Sequence, residues 1–264
     1  MFQIYNMKKF LIIAIFILFT GCSSDDSVAD NSSQDNAPSG ALIKIEISRP
    51  NENFHSSTTY YFNTAGKVER SLEEGWSGSQ YLQATNTYAY NSEGQIWKVT
   101  IAVDNRSEYT EFNFTNGLIS SSMRHTAGGN ILRTLYNYND ENQLIDRRFF
   151  NADNEESSIS IFSFDTNGNI ESRHDERDFG TEIIDYTFEY DSYNNPLKTP
   201  FENQEMNKIV GHNFNNITRS TRSNGFSTSE VNIEYTYNEA GYPLTSKEYA
   251  DGNLSVEVTY TYHE

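Results

Sequence analysis

The chain has 264 residues, 14% of them aromatic, with one Cys and a formal charge of −18 at pH 7. So acidic a surface disfavours nucleic acid and anionic head groups, whose phosphates demand clustered Lys and Arg. The sequence has no basic stripe, because Arg147-Arg148 and Arg173 are isolated and flanked by acids. A single cysteine also excludes any intramolecular disulfide.

At the N-terminus, Lys8-Lys9 precedes an apolar run over residues 10–19 and then Thr20-Gly21-Cys22. A basic start, about ten apolar residues and small residues before a cut describe a secretory signal, since a spanning helix needs about 20. Met7 makes a better start for this peptide than Met1. Leu18-Phe19-Thr20-Gly21-Cys22 resembles a bacterial lipobox, which implies cleavage between Gly21 and Cys22 and acylation of Cys22. One acyl chain holds a protein only marginally, whereas the two or three of a lipoprotein anchor it durably. Loss of residues 1–21, with Lys8, Lys9 and no acid, takes the charge from −18 to −20.

Residues 22–40 have almost nothing to bury and read as a flexible acidic tether, spanning on the order of 20 to 25 Å. Ser24-Asp25-Asp26 resembles the export signal of Bacteroidota surface lipoproteins, and Asp26-Ser27-Val28 resembles their O-glycosylation triplet. The expected location is the outer membrane, lipid-anchored on its periplasmic face or at the cell surface.

Residues 41–264 form one repeat domain. An aromatic pair followed by Asn or Asp recurs as Tyr60-Tyr61-Phe62-Asn63, Tyr88-Ala89-Tyr90-Asn91, Phe112-Asn113-Phe114, Tyr136-Asn137-Tyr138-Asn139, Phe162-Ser163-Phe164-Asp165, Phe188-Glu189-Tyr190-Asp191, His212-Asn213-Phe214-Asn215, Tyr235-Thr236-Tyr237-Asn238 and Tyr260-Thr261-Tyr262. The spacing of roughly 23 to 28 residues belongs to repeat architectures. Strict alternation, as in Val231, Ile233, Tyr235 and Tyr237 against Asn232, Glu234 and Thr236, predicts half-buried antiparallel strands.

Turns follow with suitable chemistry. Asn91-Ser92-Glu93-Gly94, Asp165-Thr166-Asn167-Gly168 and Asn238-Glu239-Ala240-Gly241 start with an Asx-turn residue and end in a Gly able to take positive φ. Asn142 and Asn194 hold the Gly place, and Asn116-Gly117 is a two-residue hairpin turn. Each return strand carries an aliphatic residue, Val68, Ile96, Ile119, Leu144, Ile170, Leu197 or Leu244. Connections at the opposite end, over residues 74–79, 127–130 and 175–180, read as longer and more variable, the place for recognition. About 17 strands exceed what an open sheet holds without curling. The expected fold is all-β, an antiparallel meander of hairpins curled into a barrel-like wrapped sheet, rings inside and Thr, Glu, Asn and Ser outside.

Tyr190-Asp191-Ser192-Tyr193-Asn194-Asn195-Pro196-Leu197 and Tyr235-Thr236-Tyr237-Asn238-Glu239-Ala240-Gly241 resemble the YD repeats of RHS-type cell-surface proteins, and the chain resembles small repeat lipoproteins of Bacteroidota. The resemblance covers about residues 41 to 264 and implies a sheet wrapped into a shell or barrel and an envelope location. The cleavage core and toxin module of large RHS proteins have no counterpart here, so toxin delivery is not implied.

No residue set signals chemistry. His55, His125, His174, His212 and His263 are scattered, and no cofactor or metal site is expected. Asp165-Thr166-Asn167-Gly168-Asn169 reads as a repeat turn rather than half a calcium loop. Glu73-Glu74 and Asp175-Glu176 are candidate carboxylate pairs for glycoside cleavage, but acid pairs abound in so acidic a chain and adjacency alone sets no catalytic separation. Trp76 is the candidate for stacking on a sugar, and Trp97 reads as core because Val99 and Ile101 share its face. The leading expectation is a non-enzymatic, membrane-anchored lipoprotein whose repeat surface binds a glycan or an envelope protein. The alternatives are a polysaccharide-acting hydrolase and an integral outer-membrane β-barrel, and the oligomeric state is left open.

Overall fold

A computed structural model describes residues 33–77, 79–198 and 213–264. The signal peptide, the lipobox residues Gly21 and Cys22, tether residues 22–32 and His212 lie outside the described residues. The strands along the first half are β1 (Leu42–Arg49), β2 (Phe54–Phe62), β3 (Val68–Ser77), β4 (Gln80–Tyr90), β5 (Ile96–Val103), β6 (Arg106–Thr115), β7 (Leu118–His125) and β8 (Ile131–Tyr138). They continue as β9 (Leu144–Phe150), β10 (Glu156–Phe164), β11 (Ile170–Arg177), β12 (Glu182–Tyr190), β13 (Ile217–Ser223), β14 (Thr228–Tyr237), β15 (Pro243–Ala250) and β16 (Asn253–Tyr262). Each pairs antiparallel with the next, and β1 pairs with β16, so the meander closes into a barrel of 16 strands among the described residues.

The closed barrel bears out the expected all-β curled meander, with one strand fewer than counted. His212-Asn213-Phe214-Asn215 has the repeat pattern, but its described part, residues 213–215, lies in the connection from β12 to β13. Neighbouring turns hold it there. Asn169 Oδ1 accepts from the Phe214 and Asn215 amides at 2.8 and 3.1 Å, and the Tyr190 hydroxyl donates to Asn213 at 2.9 Å.

Alternation assigns the two faces. The inward face carries the rings of the even-numbered strands, with Tyr60, Phe62, Tyr88, Phe112, Phe162 and Tyr186 buried. Outward residues include Asn232, Glu234 and Thr236 on β14 and Glu257, Thr259 and Thr261 on β16. Burial of each ring contributes about 1.5 to 3 kcal/mol. Desolvation pushes the inward Tyr260 hydroxyl up to about 12, so it stays neutral.

A β-bulge recurs in every aromatic-end hairpin. The register shifts where the second aromatic meets the aliphatic of the return strand, as at Phe62 and Val68, Tyr90 and Ile96, Tyr138 and Leu144, or Phe164 and Ile170. One extra residue on the return strand then bends the ribbon and strengthens its twist, which helps a wide sheet to curl closed. Tyrosine hydroxyls lock the arrangement by donating to the carbonyl at the start of a return strand: Tyr90 to Val68 at 2.6 Å, Tyr190 to Ile170 at 2.7 Å, Tyr235 to Ile217 at 2.9 Å and Tyr262 to Pro243 at 2.8 Å.

These bulges correct two expectations, and the connection from β12 to β13 corrects a third. Counting by twos fails across an extra residue, so Trp97 is 38% exposed although Val99 and Ile101 face inward. Leu244 is likewise 40% exposed, and Pro243 takes the buried place. Leu197 lies in a 3₁₀ turn, Pro196–Lys198, and packs on the core from there, while Ile217 opens the return strand.

The turns behave as their chemistry requires. Asn91 Oδ1 accepts from the amides of Glu93 and Gln95 at 3.0 and 2.9 Å, and Asp165 Oδ1 from Asn167 and Asn169 at 2.8 Å each. Gly168, at φ +84°, has the Phe214 ring 3.0 Å from where a Cβ would stand, so both backbone and space demand glycine. Asn142 adopts φ +61°, as expected of it. Asn194 is not among the positive-φ residues; its amide instead donates to the Gly241 carbonyl at 3.0 Å, because its segment leaves the hairpin pattern to reach the next turn.

The opposite end reverses the expected loop lengths. Residues 74–79 fall mostly in β3, and only residues 104–105 separate β5 from β6. The described parts of the connection from β12 to β13, residues 191–198 and 213–216, sit at the aromatic end. There Tyr193 stacks on Tyr237 at 4.0 Å, and the Tyr237 hydroxyl donates to Asp191. Residues 33–40, placed in the flexible tether by composition, also pack at this end. Ser33 bridges to Phe62, Gly40 N–H donates to the His263 carbonyl at 2.8 Å, and Ala37 and Ala41 are buried beside Leu42 and Phe62. Small apolar side chains suffice to hold this segment once the rings beneath it offer a surface.

Candidate functional site

Trp76 lies near the end of β3 on the outward face. Its register neighbours form a continuous row, Ser48 on β1, His55 on β2, Trp76, and Tyr81 on β4. Trp76 is 50% and Tyr81 45% exposed, and their rings sit 5.1 Å apart at 51°. Next to them runs an open groove of about 460 Å³, lined by Ser48, Arg49, Asn53, Phe54, His55 and Trp76. Arg49 lies 4.8 Å from the Phe54 ring centroid and pairs with Glu52 at 3.3 Å.

Polar groups converge beside the rings. Glu74 Oε1 accepts from the Tyr81 hydroxyl at 2.5 Å and from Gln83 Nε2 at 3.1 Å. The bond to Glu74 raises the Tyr81 hydroxyl above its ordinary value, so it remains a donor. Two tilted aromatic faces rimmed by an amide, a carboxylate and an imidazole can stack on a flat apolar surface and hydrogen-bond hydroxyls around it.

The carboxylate pairs proposed from sequence do not converge. Glu73 faces inward, donated to by Asn86 Nδ2 at 2.8 Å, and Glu74 faces outward; Asp175 is buried inside while Glu176 meets His174 outside at 3.5 Å. Adjacent residues on a strand necessarily point apart. Asp165 is a turn acceptor: burial raises its carboxyl, but bonds from Asn169, Asn167 and Gly168 outweigh that and hold it below the usual range.

The histidines do not gather. His125 stacks on Tyr109 at 4.3 Å, and His174 Nδ1 lies 2.7 Å from Asp185, which raises its pKa. Among the described residues no group of three or more His, Cys, Asp or Glu is placed to hold a metal ion. The arginines behave otherwise. Arg147 and Arg148 part to opposite faces, and Arg147 and Arg173 both face inward from the two strands that flank β10. Isolation along the chain hid this, although Arg replacing the Ser of other repeats was a visible signal.

No family model and no curated protein matches the chain. Among solved structures, a porin-like protein from Bacteroides uniformis superposes with a TM-score of 0.61 at 16% identity, over 86% of this chain and all of that one, 100%. A porin-like protein from Bacteroides vulgatus matches at 10% identity and a TM-score of 0.42, over 85% of this chain and 99% of that one. The TcdB2-TccC3-TEV structure matches at 12% identity and a TM-score of 0.28, over 76% of this chain and 12% of that one. The chain is thus an all-β closed meander barrel, sharing its fold with the Bacteroides uniformis protein.

Proposed function

We propose that this is a non-enzymatic, YD/RHS-like envelope lipoprotein, anchored in the outer membrane through lipid on Cys22, whose barrel presents a glycan-stacking platform at Trp76 and Tyr81. The observation that carries it is the exposed, paired pose of these two large rings beside Glu74, Gln83 and His55. The lipobox and the fold shared with a porin-like Bacteroides protein support an envelope setting.

Spanning by the strands themselves is the weaker reading. Integral barrels turn an apolar band outward, whereas here Lys98 with Glu111, Arg219 with Glu189 and Glu230, and Lys247 with Glu257 pair on the outer wall. The hydrolase reading loses the two carboxylate pairs it rested on, because Glu73 and Glu74, and Asp175 and Glu176, turn to opposite faces. Titration with neutral oligosaccharides should quench tryptophan fluorescence, and Trp76→Ala should weaken binding at least tenfold while Trp97→Ala leaves it unchanged. Equal loss in both variants, or no binding across a glycan array, rejects the platform.

A further inference from the structure

One position of the repeat departs from its own pattern. Three residues after the residue at which each aromatic-end return strand meets the second aromatic (Val68, Ile96, Ile119, Leu144, Ile170, Ile217 and Pro243) stand Ser71, Val99, Ser122, Arg147, Arg173, Ser220 and Ser246. Each lies in register opposite the first aromatic of its hairpin, on the inward face: Tyr60, Tyr88, Phe112, Tyr136, Phe162, Phe188 and Tyr235. Three of the serines reach a tyrosine hydroxyl of the next repeat, Ser71 to Tyr88 at 3.0 Å, Ser122 to Tyr136 at 3.3 Å and Ser246 to Tyr260 at 3.4 Å. Four repeats thus build the same ribbon with serine, and the fold does not require arginine at the other two.

Arginine there carries a cost that serine does not. Arg173 is partly balanced, its Nε 3.2 Å from Asp175, and its guanidinium covers the Tyr186 ring at 4.1 Å. Arg177 takes the other oxygen of Asp175 at 2.9 Å. Arg147 makes no ion pair within 4 Å among the described residues, and its Nε is sealed from solvent without an acceptor. Around it stand Tyr136, Phe149, Ser160 and Phe162, with Phe162 at 5.0 Å and Phe149 at 5.8 Å. Asp175 thus answers two guanidiniums, and Arg147, in register with it across Ser160, adds a third cation. A buried cation without a counterion is costly unless something supplies the charge.

We propose that Arg147, with Arg173 and Arg177 beside it, is an inward-facing site for an oxyanion, a carboxylate or sulfate group borne by an acidic saccharide or free in solution. The planar guanidinium fork matches such a group bidentately, and the flanking rings offer apolar faces to whatever carries it. Entry is available from the end opposite the aromatic turns. A ring of 16 strands at about 4.8 Å spacing, tilted about 40°, has a perimeter of roughly 100 Å, and short connections such as residues 104–105 and 251–252 cannot cover it. The acidic exterior does not prevent this, because exposed charges are screened beyond about 8 Å at physiological salt. The site is independent of the Trp76 platform, which faces outward.

The test compares the full chain with Arg147→Ser, which installs the residue used by four other repeats, and with Arg148→Ser on the outer wall. Thermal unfolding is followed with sodium sulfate, trigalacturonate or neutral galactotriose. The expected result is stabilisation by the two anions and not by galactotriose, with affinity reduced at least tenfold in Arg147→Ser and unchanged in Arg148→Ser. Tighter binding of trigalacturonate than of sulfate assigns an acidic saccharide; equal or weaker binding assigns the free anion. Phenylglyoxal labelling of the unmutated chain, read by peptide mass, provides a check without any variant: the bound anion protects Arg147. Absence of anion stabilisation, its persistence in Arg147→Ser, or labelling of Arg147 indifferent to anion overturns the proposal.

Discussion

At the aromatic end, the turn over residues 91–95 is held by the Asn91 side chain, by the bulge at Ile96 and by the Tyr90 hydroxyl on Val68. At the other end, residues 104–105 make a bare two-residue turn with Asp104 at φ +49°, and the turn over residues 224–227 leaves Phe226 98% exposed. Repetition of the same devices is therefore concentrated where the core lies, around Leu42, Phe62 and Val68. The opposite end is where Trp76 and Tyr81 stand half-exposed on the outer wall.

If that contrast is right, Phe62→Ala should be the most damaging single truncation, about 3 to 5 kcal/mol, because Phe62 is fully buried at the centre of the core cluster. Urea unfolding measures it, and a loss under 1 kcal/mol would dissolve the distinction between the ends. Glu248 gives the next effect, with opposite sign. It faces inward between Ile233 and Val256, and burial, only partly offset by Arg49, raises its carboxyl to about 7. Such a raised carboxyl contributes stability fully below about pH 4.5, its unfolded value, and loses it as pH rises through 7. Glu248→Gln should therefore match the parent at pH 4 and exceed it by roughly 2 kcal/mol at pH 8, allowing for its partial exposure. A gain at pH 4 as large as at pH 8 would contradict the assignment.

Smaller effects sharpen the picture. Tyr190→Phe removes the hydroxyl bonds to the Ile170 carbonyl and Asn213 and should cost about 1 kcal/mol, read as a lowered denaturation midpoint at unchanged slope. Phe226→Ala, at the opposite end, should stay within about 0.5 kcal/mol of the parent. A larger change there would mean that the bare end is also structural.

Much of this architecture was legible from periodicity. The aromatic pairs, the Asx residues and the alternation of Val231 to Tyr237 specify antiparallel hairpins because their spacing satisfies only one period. What escaped has a common cause, contacts set by register rather than by neighbours in the chain. Trp97 and Leu244 left their expected face because a bulge resets the count, and Phe214 imitates a repeat while Asn169 holds it in a loop. Arg147 and Arg173 face inward from either side of β10, opposite Ser160 and Phe162, a relation that linear separation conceals. Trp76 kept its exposure because its strand has no bulge between it and its partners His55 and Tyr81.

The seam between β1 and β16 carries a consequence for connectivity. It sets residues 42 and 262 side by side, with Gly40 bonded to His263, so the ring has no privileged beginning. A circular permutant that joins the two termini by a short linker and opens at Asn116-Gly117 would retain every strand pair except the ladder flanking the new break.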